Sequence, residues 1–216
     1  MTWEELEFGW QMAFNKAWNA FCSNTIPIGA VILNENNELV SLGQNMIFVE
    51  QTEAPVIYGS SLAHAEINAI VQLKRKEHPN IRSYTLYSTT EPCILCFGAI
   101  VMGNIRHFKF AARDRYAGAV KYNEHSGYVK SKNIIVEGPH AELEAVQLAL
   151  ATYYELDKNL PNHEHIISQM ALDCPEGVSA GRELFNKSIL RQIAEENGSE
   201  VDAFREICNQ LKMTSD

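Results

Sequence analysis

The spacing of apolar residues changes period several times along the chain. Over residues 2–22, Trp3, Trp10, Phe14, Trp18 and Phe21 recur at helical spacing, which predicts an amphipathic helix with a broad aromatic packing face. The run from Ile26 to Leu33 is short and apolar, Asn34 to Glu38 is a polar turn, and Leu39 to Gln44 reads as the return strand of a hairpin. Residues 47–62 are rich in turn formers, longer than an ordinary connection, and read equally as a lid or a plain surface loop. Helical spacing returns from Ala63 to about Glu77, where Lys74, Arg75 and Lys76 suit a helix C-terminus. A strand over 84–88, a helix over 93–102 capped by Gly103-Asn104, and strands over 107–111 and 134–137 follow. A long helix then runs from His140 to about Glu155 with Leu143, Val146, Leu150 and Tyr153 inward. A hairpin followed by alternating helices and strands implies a sheet covered by helices on both faces.

Candidate chemistry sits where two of these helices begin. His64, Cys93 and Cys96 offer one imidazole and two thiolates, a donor set suited to zinc, and three protein ligands leave a fourth position for water. Glu66 stands two residues from His64, placed to handle a proton without being a ligand. Neither cluster has a fourth Cys or His near it in sequence, so a closed structural site is disfavoured. The predicted helix starts would add their positive ends to both clusters. His163-Glu164-His165 does not make a second site, because imidazoles at i and i+2 of a helix point apart.

His64-Ala65-Glu66 followed by Pro92-Cys93-Ile94-Leu95-Cys96 is the signature of zinc-dependent nucleobase deaminases. Over roughly residues 5–155 the chain resembles the cytidine-deaminase-like superfamily. It is most similar to the branch of tRNA adenosine deaminases and bacterial guanine deaminases, and the Pro-Cys-Ile-Leu-Cys helix and Ala112-Arg113-Asp114 after a strand resemble the tRNA adenosine deaminases in particular. The resemblance implies a three-layer α/β/α fold around a mixed five-stranded sheet. It also implies one Zn2+ held by His64, Cys93 and Cys96, and hydrolytic release of ammonia with Glu66 as proton shuttle. It suggests Asn45 and backbone groups at Ala65 and Glu91 as substrate contacts. Two readings of Asn45, substrate contact and self-bonded turn residue, stand together. So do two of Arg113 and Asp114: a direct substrate role, or an ion pair bracing the loop.

Charge bears on the substrate. The chain carries a net charge of −9, and the stretch matching the basic C-terminal helix of tRNA deaminases reads Thr152-Tyr153-Tyr154-Glu155-Leu156-Asp157. Phosphate contacts for a tRNA anticodon are not visible, which favours a small nucleobase or nucleoside, purine before pyrimidine, with tRNA as the alternative. A zinc-stabilised partner protein without turnover is a third reading, and the presence of Glu66 opposes it. The division expected is a deaminase domain over 1–156 and a helical extension over 157–216. The extension has 11 acidic and 6 basic residues and predicted helices over 181–196 and 201–211, packed on the domain or a second subunit. No run of 18 apolar residues suggests a membrane span. The acidic opening Met-Thr-Trp-Glu-Glu does not resemble a signal peptide, and thiolate ligands fit a reducing cytoplasm. A homodimer is expected by resemblance.

Overall fold

The structure, a computed structural model, describes residues 1–52 and 55–214. Its centre is a five-stranded mixed sheet of β1 (Gly29–Leu33), β2 (Leu39–Gln44), β3 (Thr85–Thr90), β4 (His107–Ala112) and β5 (Ile135–Glu137) in the order β2-β1-β3-β4-β5. β1 is antiparallel to both β2 and β3, while β3, β4 and β5 run parallel. β1 is buried throughout and splits its side chains by parity. Val31 and Leu33 enter one core with α1 (Phe8–Cys22) and α5 (Ala141–Lys158), whereas Ala30 and Ile32 enter the other. That second core is filled by α2 (Ala65–Ile70) and α3 (Ile94–Gly103), so the sheet lies between two helical layers.

Gly43 fixes the position of α2. A Cβ there would lie 2.0 Å from the Ala65 carbonyl oxygen, so only glycine lets the helix carrying the site residues sit this close to β2.

The helix expected over 2–22 is broken. A 3-10 turn at Trp3–Glu5 and extended Leu6 precede α1, and the break swings Trp3 onto Phe204, ring centroids 5.4 Å apart. The helix expected over 63–77 stops at Ile70, so Lys74, Arg75 and Lys76 lie in turns and serve no helix end. Two causes are local. The Gln72 amide donates to the Leu42 and Asn68 carbonyls, and Pro79 disfavours helical backbone at His78.

The extension holds α6 (His163–Asp173), α7 (Pro175–Asn186), α8 (Ile189–Glu195) and α9 (Glu200–Thr214), after a four-residue α4 (Gly127–Lys130) in the β4–β5 connection. The helix expected over 181–196 is therefore two, divided at Ser188, whose φ is 55°. α7 packs on α5 through small residues: a Cβ on Gly181 would meet the Ala149 carbonyl oxygen at 2.5 Å. Leu184, Leu190, Phe204 and Ile207 continue the core shared by α1 and α5, so the extension docks on the domain within the same chain. α5 runs across the 156/157 division and is buried along most of its length.

Candidate active site

Both ligand clusters sit at the ends of sheet connections. His64 is the N-cap residue of α2, extended at φ −78° and ψ 156°, and Cys93 is the N-cap residue of α3. Each therefore stands just before its helix, where the sequence pattern placed it just inside. Glu66 and Cys96 lie in the first turns, and Cys96 is fully buried.

His64 Nδ1 lies 3.5 Å from the sulfur of Cys93 and 3.5 Å from that of Cys96. A tetrahedral zinc with ordinary Zn–N and Zn–S lengths sets nitrogen and sulfur ligands about 3.6 Å apart. The three donor atoms fit zinc, and among the described residues they are the one group of His, Cys, Asp or Glu gathered for a metal. Hydrogen bonding with Cys96, and then with His64, draws the Cys93 thiol down to about 4 against its burial. The same contact pushes Cys96 up, as does its burial. A pre-formed thiolate at Cys93 suits metal ligation.

Glu66 is 4% exposed. Burial raises its carboxyl above the usual range. The Ser88 hydroxyl donates to its Oε1 at 3.1 Å and the Cys96 thiol to its Oε2 at 3.2 Å. Ser88, near the middle of β3, was not read from sequence as a site residue; its burial shows only in the fold, and a lone serine in a strand carries no signal of it.

A cavity of about 280 Å³ opens beside these groups. Asn45 and Asp114 line it. The Asn45 Oδ1 accepts from the Thr25 hydroxyl and the Ile47 N–H, which leaves its amide hydrogens for the cavity. The bond from Ile47 N–H matches the turn reading, and its place in the cavity wall leaves the substrate contact as a proposal. Asp114 Oδ1 accepts from the Tyr116 and Ala117 N–H groups. The Glu91 carboxylate is used within the protein, accepting from Asp114 N and Val120 N, and its own N–H bonds the Ala112 carbonyl, so only its carbonyl remains for a ligand. Ala65 turns its side chain into the core and leaves only backbone to offer.

Arg113 does not pair with Asp114. It makes a two-point contact with Glu144 at 2.8 and 2.7 Å and lies 3.6 Å from Asp173, which also takes Arg115. Asp173 ends α6, so the loop after β4 is clamped to α5 and to the extension at once.

The cavity bears on the two readings of 47–62, lid or plain surface loop. None of the described residues of 47–62 lines it; Asn68 instead ties that loop to the sheet edge through Ile57 and Gln44. Ile166, Gln169 and Met170 of α6 close the cavity, facing Gln147, Ala151, Tyr154 and Glu155 of α5. Those α5 residues recur at helical spacing, and polar groups interrupting an otherwise apolar stripe were the sequence signal for them.

Residues 3–112 match the family model of the cytidine and deoxycytidylate deaminase zinc-binding region, just over half the chain. The chain is 35% identical over 113 residues to the tRNA-specific adenosine deaminase of Rickettsia bellii, covering 51% of this chain and 72% of that protein. It is 33% identical over 132 residues to that of Aquifex aeolicus (61% and 76% covered). It is 31% identical over 133 residues to a probable cytosine deaminase of Schizosaccharomyces pombe (56% and 75% covered). A solved structure with 8-azaguanine bound shares the fold at a TM-score of 0.51 and 21% identity, covering 66% of this chain and 79% of that one. With its ligand triad and buried glutamate in place, the chain belongs to the cytidine and deoxycytidylate deaminase family and is a zinc-dependent hydrolase of the C–N bond of a nucleobase or nucleoside.

Proposed function

We propose that the substrate is a small purine nucleobase or nucleoside, deaminated in the cavity between Glu66 and α6. The observation that carries this reading is the charge state of the cavity wall. Its two arginines, Arg113 and Arg115, are both held by carboxylates, and its other charged groups apart from His64 are acidic. A phosphorylated or polymeric substrate draws much of its affinity from unpaired Lys and Arg. The second reading, a tRNA adenosine, is favoured by the 33–35% identity to tRNA-specific deaminases.

In this proposal His64, Cys93 and Cys96 hold zinc, which when bound supplies an activated water near neutral pH. Glu66 holds and moves the proton between that water, the ring nitrogen and the departing ammonia. Its burial keeps the carboxyl basic enough to accept a proton. The Asn45 amide, the backbone at Ala65, the Glu91 carbonyl and Asp114 Oδ2 orient the ring. Residues 1–156 form the catalytic unit, and 157–216 complete its wall.

A homodimer is part of the proposal. Ile94 and Met102 of α3 are 70% and 67% exposed, and Leu62 and Val71, on either side of α2 in sequence, are exposed apolar groups too. Light scattering giving a monomer at micromolar concentration would refute it. Among the described residues no helix is long and apolar enough to cross a membrane, and we place the protein in the cytoplasm, where thiolate ligands persist.

Ammonia release by the zinc-loaded chain on nucleobases, nucleosides, nucleotides and an anticodon-stem RNA tests the reading. Turnover of bases or nucleosides supports it; turnover of RNA alone overturns it.

A further inference from the structure

Three polar atoms on the α5 side of the cavity are buried and lack a hydrogen-bond partner among the described residues: Gln147 Oε1, the Tyr154 hydroxyl and Glu155 Oε2. Buried polar groups without partners are rare in folded proteins, and a cluster of them beside a cavity points to a ligand. Gln147 is partly used, since its amide donates to the Pro27 carbonyl at 2.8 Å. Tyr154 and Glu155 have no such internal bond, although Tyr154 is 1% and Glu155 7% exposed.

Tyr154 and Glu155 stand two turns along α5 from Gln147. The start of the helix is tied to the metal side: Glu144 holds Arg113, and the loop that follows Arg113 pairs Gly118 with Cys93. Glu155 lies eight residues beyond Gln147, about 12 Å along the helix axis. We take Gln147, bonded to Pro27, as the group nearer the base, so that Tyr154 and Glu155 meet what the base carries.

We propose that Glu155 and the Tyr154 hydroxyl form a recognition site for the ribose hydroxyls of an unphosphorylated ribonucleoside. The inference rests on the nucleobase-or-nucleoside reading given above. A carboxyl, ionised or neutral, bonds hydroxyls, and an acidic side chain on ribose hydroxyls is an established recognition pattern in other folds. A phosphate would meet the Glu155 carboxyl with both wall arginines already engaged, so nucleotides are excluded by the same residue. Ala151, one turn before Glu155 on the same stripe, leaves room for the sugar.

The test uses the full zinc-loaded chain, with adenosine, guanosine, their 2′,3′-dideoxy forms and the free bases as probes. In wild type, removing the hydroxyls lowers kcat/KM about 10- to 100-fold, mostly through KM, the range for a lost hydrogen bond to a charged partner. Glu155→Leu lowers the ratio of nucleoside to free-base kcat/KM by a similar factor and abolishes the difference between ribo and dideoxy substrates. Glu155→Gln restores part of both. Equal efficiency on ribo and dideoxy nucleosides in wild type overturns the proposal, and this arm needs no variant to fold. Turnover of free bases with none of nucleosides also overturns it but leaves the deaminase reading standing. If wild type deaminates neither class, both fail.

Discussion

The Ser88 hydroxyl donates to Glu66 Oε1 across 3.1 Å, from the middle of β3 to the first turn of α2. Among the described residues Glu66 has one other side-chain hydrogen-bond partner, the Cys96 thiol. A cysteine that ligates a metal must give up its proton, so Ser88 is the donor that remains to orient the carboxyl. Ser88→Ala is expected to lower kcat about 10-fold, matching the loss of one hydrogen bond to a charged group, with bound zinc unchanged. Glu66→Ala is expected to lower kcat by about 10²- to 10⁴-fold, again with zinc retained. Steady-state kinetics beside metal analysis checks both. Loss of zinc in Ser88→Ala would show that the serine supports the metal cluster and not the proton carrier.

The ligand triad joins α2, α3 and, through the Cys93–Gly118 bridge, the loop after β4. Metal bound there holds the folded chain alone and adds to its stability. Chelation, or Cys96→Ser, is expected to lower Tm by several degrees and to raise hydrogen exchange first in 64–70 and 91–104. An unchanged Tm after verified zinc removal would show that the triad is rigid without the ion.

How far the sequence reached follows from the type of signal each feature carries. His64, Glu66, Cys93 and Cys96 were legible because metal chemistry demands particular atoms at particular spacings. The sheet was legible because β1 is a continuous apolar run and β2 its mate across a polar turn. α7 was legible only from Gly181 onward and merged with α8, because its first half docks through Gly177, Ala180 and Gly181, small residues that give no apolar period. Only the start of α6, at His163, was legible, because the helix buries little beyond Ile167. With most of α6 unread, loop 47–62 stood equally as lid or surface loop, and Glu155, read only as part of an acidic stretch, was not recognised as facing the site.

The Arg113–Glu144–Asp173 clamp holds the catalytic loop to the extension. Glu144 and Asp173 have side chains 4% and 3% exposed, while Arg113 is 41% exposed. Water screens the arginine, so the cost of breaking the contact lies below that of a fully buried pair. Glu144→Gln is expected to destabilise the fold by about 1–3 kcal/mol. It should also raise KM, as the loop carrying Asp114 loosens. Denaturant unfolding and steady-state kinetics check the two effects; a lower stability with unaltered KM would mean that the clamp serves the fold alone.

Gly181→Val tests the docking of α7. A Cβ at this position would meet the Ala149 carbonyl oxygen at 2.5 Å and Thr152 Cβ at 2.7 Å, and both belong to α5, which lines the cavity. Neither the carbonyl nor a buried helix can give way cheaply. The expected cost is about 1–3 kcal/mol, the range for an overpacked core. At about 2–4 °C per kcal/mol for a chain of this size, Tm should fall by roughly 2–12 °C. A wild-type Tm would show that α7 is loosely held.

Glu155 links stability to pH with a definite sign. Burial raises its carboxyl above the ordinary value, with His163 opposing by a smaller amount. A carboxyl raised in the folded state favours folding while it stays protonated, and that contribution is lost as pH rises through the ordinary and then the folded value. Wild type should therefore lose stability on going from about pH 4 to pH 8, in the part that Glu155 controls. Glu155→Gln removes the ionisation and keeps the shape. Its Tm should exceed that of wild type at pH 8, and the gap should shrink towards pH 4. Thermal melts of both proteins across this range check it, and parallel curves would mean that the folded carboxyl titrates as it does in the unfolded chain. The comparison also bears on function, because a carboxyl kept at a cost to stability, with no hydrogen-bond partner for its Oε2 among the described residues, is what a ligand-binding group should look like.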